Sequence, residues 1–307
     1  MTAISRLVTH AVPGSLNVHD FSAATETVVA FPLPEGVRPR SHAAAPDLSR
    51  ATYVTDDEAV CIDRGGRTLW RLDYTPDRTR SYNSWAKCAF SPDGTVVWVY
   101  RPDAMAGMYQ VPDRWLAIDA GTGDVLAETG LDCAGHGAFQ FAHPDGEHML
   151  IDVGEGQDGA RVYRGRLVQD TIELTAYPWA DRCLMGLAPD GRHFMTVGHD
   201  QEDVAFHTYP DGEVTVRIPA ESFGHDLDET RMEWSGGYLD LTTAVVTTGG
   251  ETEDEEEWHT HHLVDPRTGE IKGTLDTPSR HAYDLVPLGD GIWITTDDTG
   301  RPLHHTR

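Results

Sequence analysis

Residues 90–103 read Phe-Ser-Pro-Asp-Gly-Thr-Val-Val-Trp-Val-Tyr-Arg-Pro-Asp. The order predicts a strand end, a Pro-Asp-Gly turn, an apolar strand and then an acidic loop. Proline presets φ for such a turn, and glycine accepts the φ that other residues resist. The strand at 96–100 is apolar at successive positions instead of alternate ones, as expected for burial on both faces.

Copies of this stretch recur. Pro92-Asp93-Gly94, Pro144-Asp145-Gly146 and Pro189-Asp190-Gly191 are clear turns. Pro46-Asp47-Leu48-Ser49, Leu239-Asp240-Leu241-Thr242 and Leu288-Gly289-Asp290-Gly291 are degenerate ones. Successive turns fall roughly 45–52 residues apart, the length of a four-stranded repeating unit. Short strands follow them at Tyr53-Val54 and at residues 96–100, 149–153, 194–197, 244–246 and 292–294. A second hairpin turn, with Asp and Gly, appears at residues 62–66, 118–123, 209–212 and 264–269. Each unit therefore reads as four antiparallel strands, A to D.

With its Phe-Ser-Pro-Asp-Gly at 90–94 and Val-Asp-Pro-Arg-Thr-Gly at 264–269, the chain resembles the WD40-like and YVTN-like β-propeller superfamily. The resemblance spans nearly the whole sequence and implies an all-β propeller of four-stranded antiparallel blades, forming one domain over residues 1–307. It implies no activity. The Trp-Asp and Gly-His dipeptides of true WD40 blades are missing at the expected places, so the resemblance is to a divergent propeller. Six A–B turns imply six blades, one of them closed by both termini, with residues 16–20 and 25–31 as its strands C and D. Residues 6–12 also read as a strand, and a seventh, partial blade is the alternative.

The composition narrows the function. With 50 Asp and Glu against 24 Lys and Arg, the formal net charge is −26. That balance argues against nucleic acid and against anionic membranes as partners. The first residues lack the basic start and apolar run of a signal peptide, and no stretch approaches the ~20 apolar residues of a membrane span. Cys61, Cys88, Cys133 and Cys183 show no Cys-x-x-Cys pairing, which fits free thiols in a reducing cytoplasm.

Every loop after a strand B is acidic: Asp56-Asp57-Glu58, Arg101-Pro102-Asp103, Glu155 with Asp158, Asp200 with Glu202 and Asp203, residues 251–257, and Asp297-Asp298. Like charges ~4 Å apart repel by about 1 kcal/mol in water, so concentrating them has a cost. A site for a basic protein or peptide, a cationic small molecule or a divalent metal is one explanation. Plain solubility is the other. The D–A links carry the opposite sign: Arg40-Ser41-His42, Arg80 to Trp85, His136, Arg182, Arg231 and Arg280-His281. Converging, they would make a basic mouth for a carboxylate or phosphate. The plainer expectation is that these arginines pair with the neighbouring acidic loops. The candidate ligand-binding set is Arg40, His42, Trp85, His136, Arg182, Arg231, Arg280 and His281.

Two functions remain open. One is a cytoplasmic binding or scaffold module for a cationic ligand or basic partner. The other is a metal-assisted lyase or hydrolase with His136 and His281 as acid, base or metal ligands. His259 and His261 share a strand face beside a glutamate run and could grip a metal, but lack a defined third ligand. Ser84-Trp85-Ala86-Lys87 matches Ser-x-x-Lys, yet on a strand Ser84 and Lys87 point opposite ways. Gly154-Glu155-Gly156-Gln157-Asp158-Gly159 matches a dinucleotide fingerprint, yet joins two strands with no helix to receive a pyrophosphate. Trp85 and Trp234 stand near strand A entrances; Trp115, Trp179, Trp258 and Trp293 read as core.

Overall fold

The computed structural model describes residues 6–23, 25–74, 84–106, 111–179, 181–224, 230–252 and 256–307. Arg80 and Glu253, Asp254 and Glu255 lie outside them. Among the described residues seven antiparallel sheets follow one another along the chain, which divides into two compact units, Met1–Pro178 and Trp179–Arg307. The first unit carries sheets 1 to 4, whose first strands are Leu7–Val12, Ser41–Ala44, Lys87–Phe90 and Gly137–Ala142. The second carries sheets 5 to 7, beginning at Arg182–Leu187, Thr230–Asp240 and Val286–Pro287. Sheets 2 to 6 have four strands paired in chain order, and sheets 1 and 7 have three.

The count is seven, the alternative that residues 6–12 left open. That segment forms the first strand, Leu7–Val12, of a sheet continued by Ser15–Asp20 and Thr27–Pro32. The N-terminal strands thus pair in a sheet of their own, and among the described residues the tail's sheet is Val286–Pro287, Ile292–Thr296 and Pro302–Thr306. Counting turns misses sheet 1 because its first turn, Pro13-Gly14, lacks the aspartate of the others.

Successive apolar positions do bury opposite faces. In the strand Val96–Arg101, Val97 and Val99 join a core with Val54, Cys61 and Trp70 of sheet 2. Trp98 and Tyr100, from the other face, join a core with Met149, Ile151 and Val153 of sheet 4. In the second unit Val197 and Phe206 of sheet 5 share a core with Val246 and Val264 of sheet 6. Each core is a layer between two neighbouring sheets. First strands of neighbouring sheets also lie against one another within each unit: Ser41–Ala44 against Lys87–Phe90, and Thr230–Asp240 against Arg182–Leu187.

The turn aspartates are part of the fold. Asp93 Oδ1 accepts from Thr95 N at 3.0 Å and from Ser91 Oγ at 2.6 Å. Asp145 Oδ1 accepts from Glu147 N and His148 N at 2.8 and 3.0 Å, and Asp119 Oδ1 from Gly121 N and Thr122 N, each at 2.8 Å. Such bonds stabilise the ionised form; the Asp145 carboxyl is lowered to about 2, where the backbone bonds from His148 and Glu147 overcome the opposing effect of burial. The next residues pack between sheets. Gly123, at φ +81°, leaves no room for a Cβ, which would sit 2.6 Å from the Trp70 side chain.

Candidate functional site

Carboxylates occur at both ends of the sheets, so their position alone distinguishes nothing. At the turn end, backbone N–H groups bond Asp93, Asp119 and Asp145, while Asp63 and Asp265 also pair with Arg67 and Arg267. At the B–C loop end some carboxylates pair with arginine and others do not. Four of the pairs use the arginines of the D–A links. Arg40 Nε and Nη2 donate to Asp56 Oδ1 and Oδ2 at 3.0 and 3.1 Å, a two-pronged pair. Arg182 pairs with Asp203, and Arg231 Nε with Glu233 Oε1 at 3.0 Å. Arg280 stands 3.9 Å from Asp284, and its Nη2 donates to Thr296 Oγ1 at 2.7 Å. Each of these four candidate arginines is thus committed within the chain. Asp57, Asp158, Glu202, Glu256, Glu257 and Asp298 are exposed, and among the described residues no cation pairs with them.

In the first unit, three candidates meet. The Arg40 guanidinium lies 5.9 Å from the Trp85 ring centroid, and Trp85 N donates to the His136 carbonyl at 2.9 Å. Trp85 is 38% exposed. His136 N donates in turn to Gly154 O, and its Nε2 sits against Gly156, at φ +67°, where a Cβ would come within 3.2 Å. The fourth candidate, His42, lies on the first strand of sheet 2, and its Nδ1 is 2.7 Å from Thr9 Oγ1. Burial, then the charges of Lys87 and His10, lower its pKa to about 4, so it is neutral at pH 7.

In the second unit the candidates are part of the framework. Arg182 is buried, and its Nε donates to Thr196 Oγ1 at 2.7 Å; Thr196 lies 2.8 Å from His207 Nε2, whose other nitrogen donates to Gly212 O at 3.0 Å. Glu233 is buried between Arg231 and the Tyr283 hydroxyl, which donates to Oε2 at 2.8 Å. Gly249 gives it room: a Cβ there would lie 2.5 Å from Glu233 Oε1. His281 Nδ1 accepts from Tyr283 N at 3.2 Å. Trp234 donates to Gly198 O and stacks on His199, with centroids 5.4 Å apart.

No family model matches the chain, and no curated protein does. Solved structures match over nearly its full length. Hydrazine synthase of Kuenenia stuttgartiensis aligns with a TM-score of 0.62 at 12% identity, covering 100% of this chain and 94% of that one. The structure of U3-55K gives 0.58 at 12% identity, covering 94% and 84%. The β-propeller domain of Cps50 (Swd1) from Myceliophteria thermophila gives 0.57 at 9% identity, covering 98% and 95%. The fold is that of a divergent WD40-like β-propeller. At these identities the likeness extends to architecture and carries no activity.

Two groups in this propeller escape motif reading. Lys87 is one of only two lysines in the chain. Its ammonium lies 5.6 Å from the centroid of the Phe139 ring, and no carboxylate pairs with it among the described residues. Phe139 is 66% exposed on the first strand of sheet 4. Only the neighbouring sheet brings that ring to Lys87, so the Ser-x-x-Lys spacing carries no hint of it. Asp113 is fully buried and collects Tyr100 Oη and Gly135 N on Oδ2, each at 2.7 Å, and Ala104 N on Oδ1 at 2.9 Å. Among the described residues no three His, Cys, Asp or Glu side chains are grouped to hold a metal ion.

Proposed function

We propose that this propeller is a binding module that receives a basic peptide or a cationic small molecule on the loops joining the second and third strands of its sheets. One observation carries the reading. The link arginines are occupied by carboxylates of their own unit, and the exposed acids Asp57 and Asp158 of the first unit, and Glu202, Glu256, Glu257 and Asp298 of the second, have no cation paired with them among the described residues. Unpaired like charges repel, and a cationic partner relieves that repulsion while steering its own approach. The four cysteines are free, which supports a reducing cytoplasm as the setting. Among the described residues no helix is long and apolar enough to cross a membrane. The pair His136 and His281 gains no support as an acid–base site. Among the described residues neither imidazole has a carboxylate partner.

The test compares two sets of substitutions. Fluorescence anisotropy with labelled oligo-arginine and oligo-lysine peptides is expected to show binding that weakens with salt, as exposed charge pairs do. Neutralising these six exposed acids to Asn or Gln is expected to reduce affinity at least tenfold with little change in melting temperature. Neutralising the turn acids Asp93 and Asp145 is expected to lower the melting temperature and leave affinity unchanged. Equal binding by the six-acid variant, or no binding of either peptide at low salt, would overturn the proposal.

A further inference from the structure

Ser279 lies in the link between sheets 6 and 7, and two imidazole nitrogens converge on its hydroxyl. His259 Nε2 is 2.7 Å from Ser279 Oγ and His261 Nε2 is 3.0 Å from it. The two histidines alternate along the third strand of sheet 6, Glu257–Val264, so they share a face. Their rings stand 5.3 Å apart, edge to face. Behind them, His261 Nδ1 is 2.9 Å from the buried Thr247 Oγ1.

A serine hydroxyl has one proton. With two nitrogens in hydrogen-bond range, it donates to one and accepts from the other, so in either sense of the chain it faces a base on one side and an N–H donor on the other. Burial decides which is which. His261 is buried, and its pKa is lowered to about 4 by desolvation, then by His259 and His262. It resists protonation and suits the neutral donor. Thr247 then donates to His261 Nδ1, His261 Nε2–H donates to Ser279 Oγ, and Ser279 donates to His259 Nε2. His259 is partly exposed, so its ring is the one of the two open to solvent.

We infer that Ser279 is a nucleophile for small carboxylic esters, with His259 as its base and His261 as the donor that stabilises the oxygen as it loses its proton. Ser279 Oγ attacks the acyl carbon while its proton moves to His259 Nε2. The bond to the leaving alkoxide breaks, and that alkoxide takes the proton from His259. Water then cleaves the acyl–Ser279 ester, giving one proton through His259 back to Ser279 Oγ. Base assistance of this kind is worth typically ~10²–10⁴-fold in rate. Exposed Glu257 lies on the same strand face as the two histidines, so neutral or cationic esters fit better than anionic ones.

The experiment treats the full-length protein with a biotinylated fluorophosphonate, followed by peptide mapping, alongside hydrolysis of p-nitrophenyl acetate. Stoichiometric labelling at Ser279 is expected. Ser279→Ala is expected to abolish it, His259→Gln to slow it at least tenfold, and the exposed control Ser22→Ala to leave it unchanged. Ser279→Ala removes one hydroxyl from a surface link, and its melting temperature verifies that it is folded. Absence of label on Ser279 in the folded wild type, or equal labelling rates in wild type and His259→Gln, would overturn the inference.

Discussion

Arg182 Nη2 and Asp203 Oδ1 meet at 2.5 Å, and the arginine is 5% exposed. The pair ties the first strand of sheet 5 to the start of its third. Asp203 Oδ2 also takes Arg217 Nη1 at 3.0 Å. Removing the aspartate leaves a buried guanidinium without its counter-charge, which typically costs roughly 3–5 kcal/mol. Asp203→Ala is therefore expected to lose stability on that scale in urea unfolding, with Arg217→Ala, an exposed partner, losing under about 1 kcal/mol. Equal losses for the two would show that the buried pair is not special.

Asp113 serves the first unit in the same way, with two backbone N–H groups and the Tyr100 hydroxyl in place of a cation. Burial pushes its carboxyl pKa up, while the bonds from Gly135, Tyr100 and Ala104 act the other way. Asparagine keeps the shape but turns an NH₂ towards one set of donors, so at least one buried N–H or O–H goes unmatched. An unmatched buried group costs about 1–3 kcal/mol. Asp113→Asn is expected to destabilise by about that much, and Tyr100→Phe, which removes one donor without stranding the others, by less. The order of the two urea midpoints checks it.

Gly123 tests the packing between sheets 2 and 3. Its φ of +81° resists a side chain, and an added Cβ would overlap Trp70, whose Nε1 donates to Ala120 O at 3.0 Å. Strain of this backbone kind costs about 1–3 kcal/mol. Gly123→Ala is expected to lower the melting temperature and to shift Trp70 fluorescence. Gly14→Ala, at a similar φ of +78° but in open space, isolates the backbone part. If both variants melt alike, overlap with Trp70 contributes nothing.

Much of the fold was legible because burial on both faces leaves a direct trace: Val97 and Val99 face one neighbour, Trp98 and Tyr100 the other. Sheet 1 was half-legible, as strands without the aspartate turn that marked the rest. The site was less so. Arg40 and Asp56 are 16 residues apart, and Arg182 and Asp203 are 21 apart. Nothing local says whether such an arginine faces a ligand or its own loop. Ser279 and His261, 18 apart, meet only because the link folds back onto the strand, and no short motif encodes that return.

The buried histidines set the response to acid. His42, His207 and His261 all have pKa values lowered to about 4, with burial the largest cause in each; Lys87 comes next for His42 and His259 for His261, and for His207 the Arg182 charge adds to burial. In the unfolded chain each titrates near ~6.5. Between those values the unfolded chain binds more protons than the folded one, so stability rises with pH there. Their contribution is fully present above about pH 6.5 and is lost as the pH falls towards 4. The urea midpoint is accordingly expected to drop across that window, before the carboxylate pairs begin to protonate. Histidine Cε1–H resonances in NMR give the direct check: these three should hold their neutral shifts at pH 5. A resonance assigned to His207 that titrates near 6.5 would show that the Arg182–Thr196–His207 network does not exclude the proton.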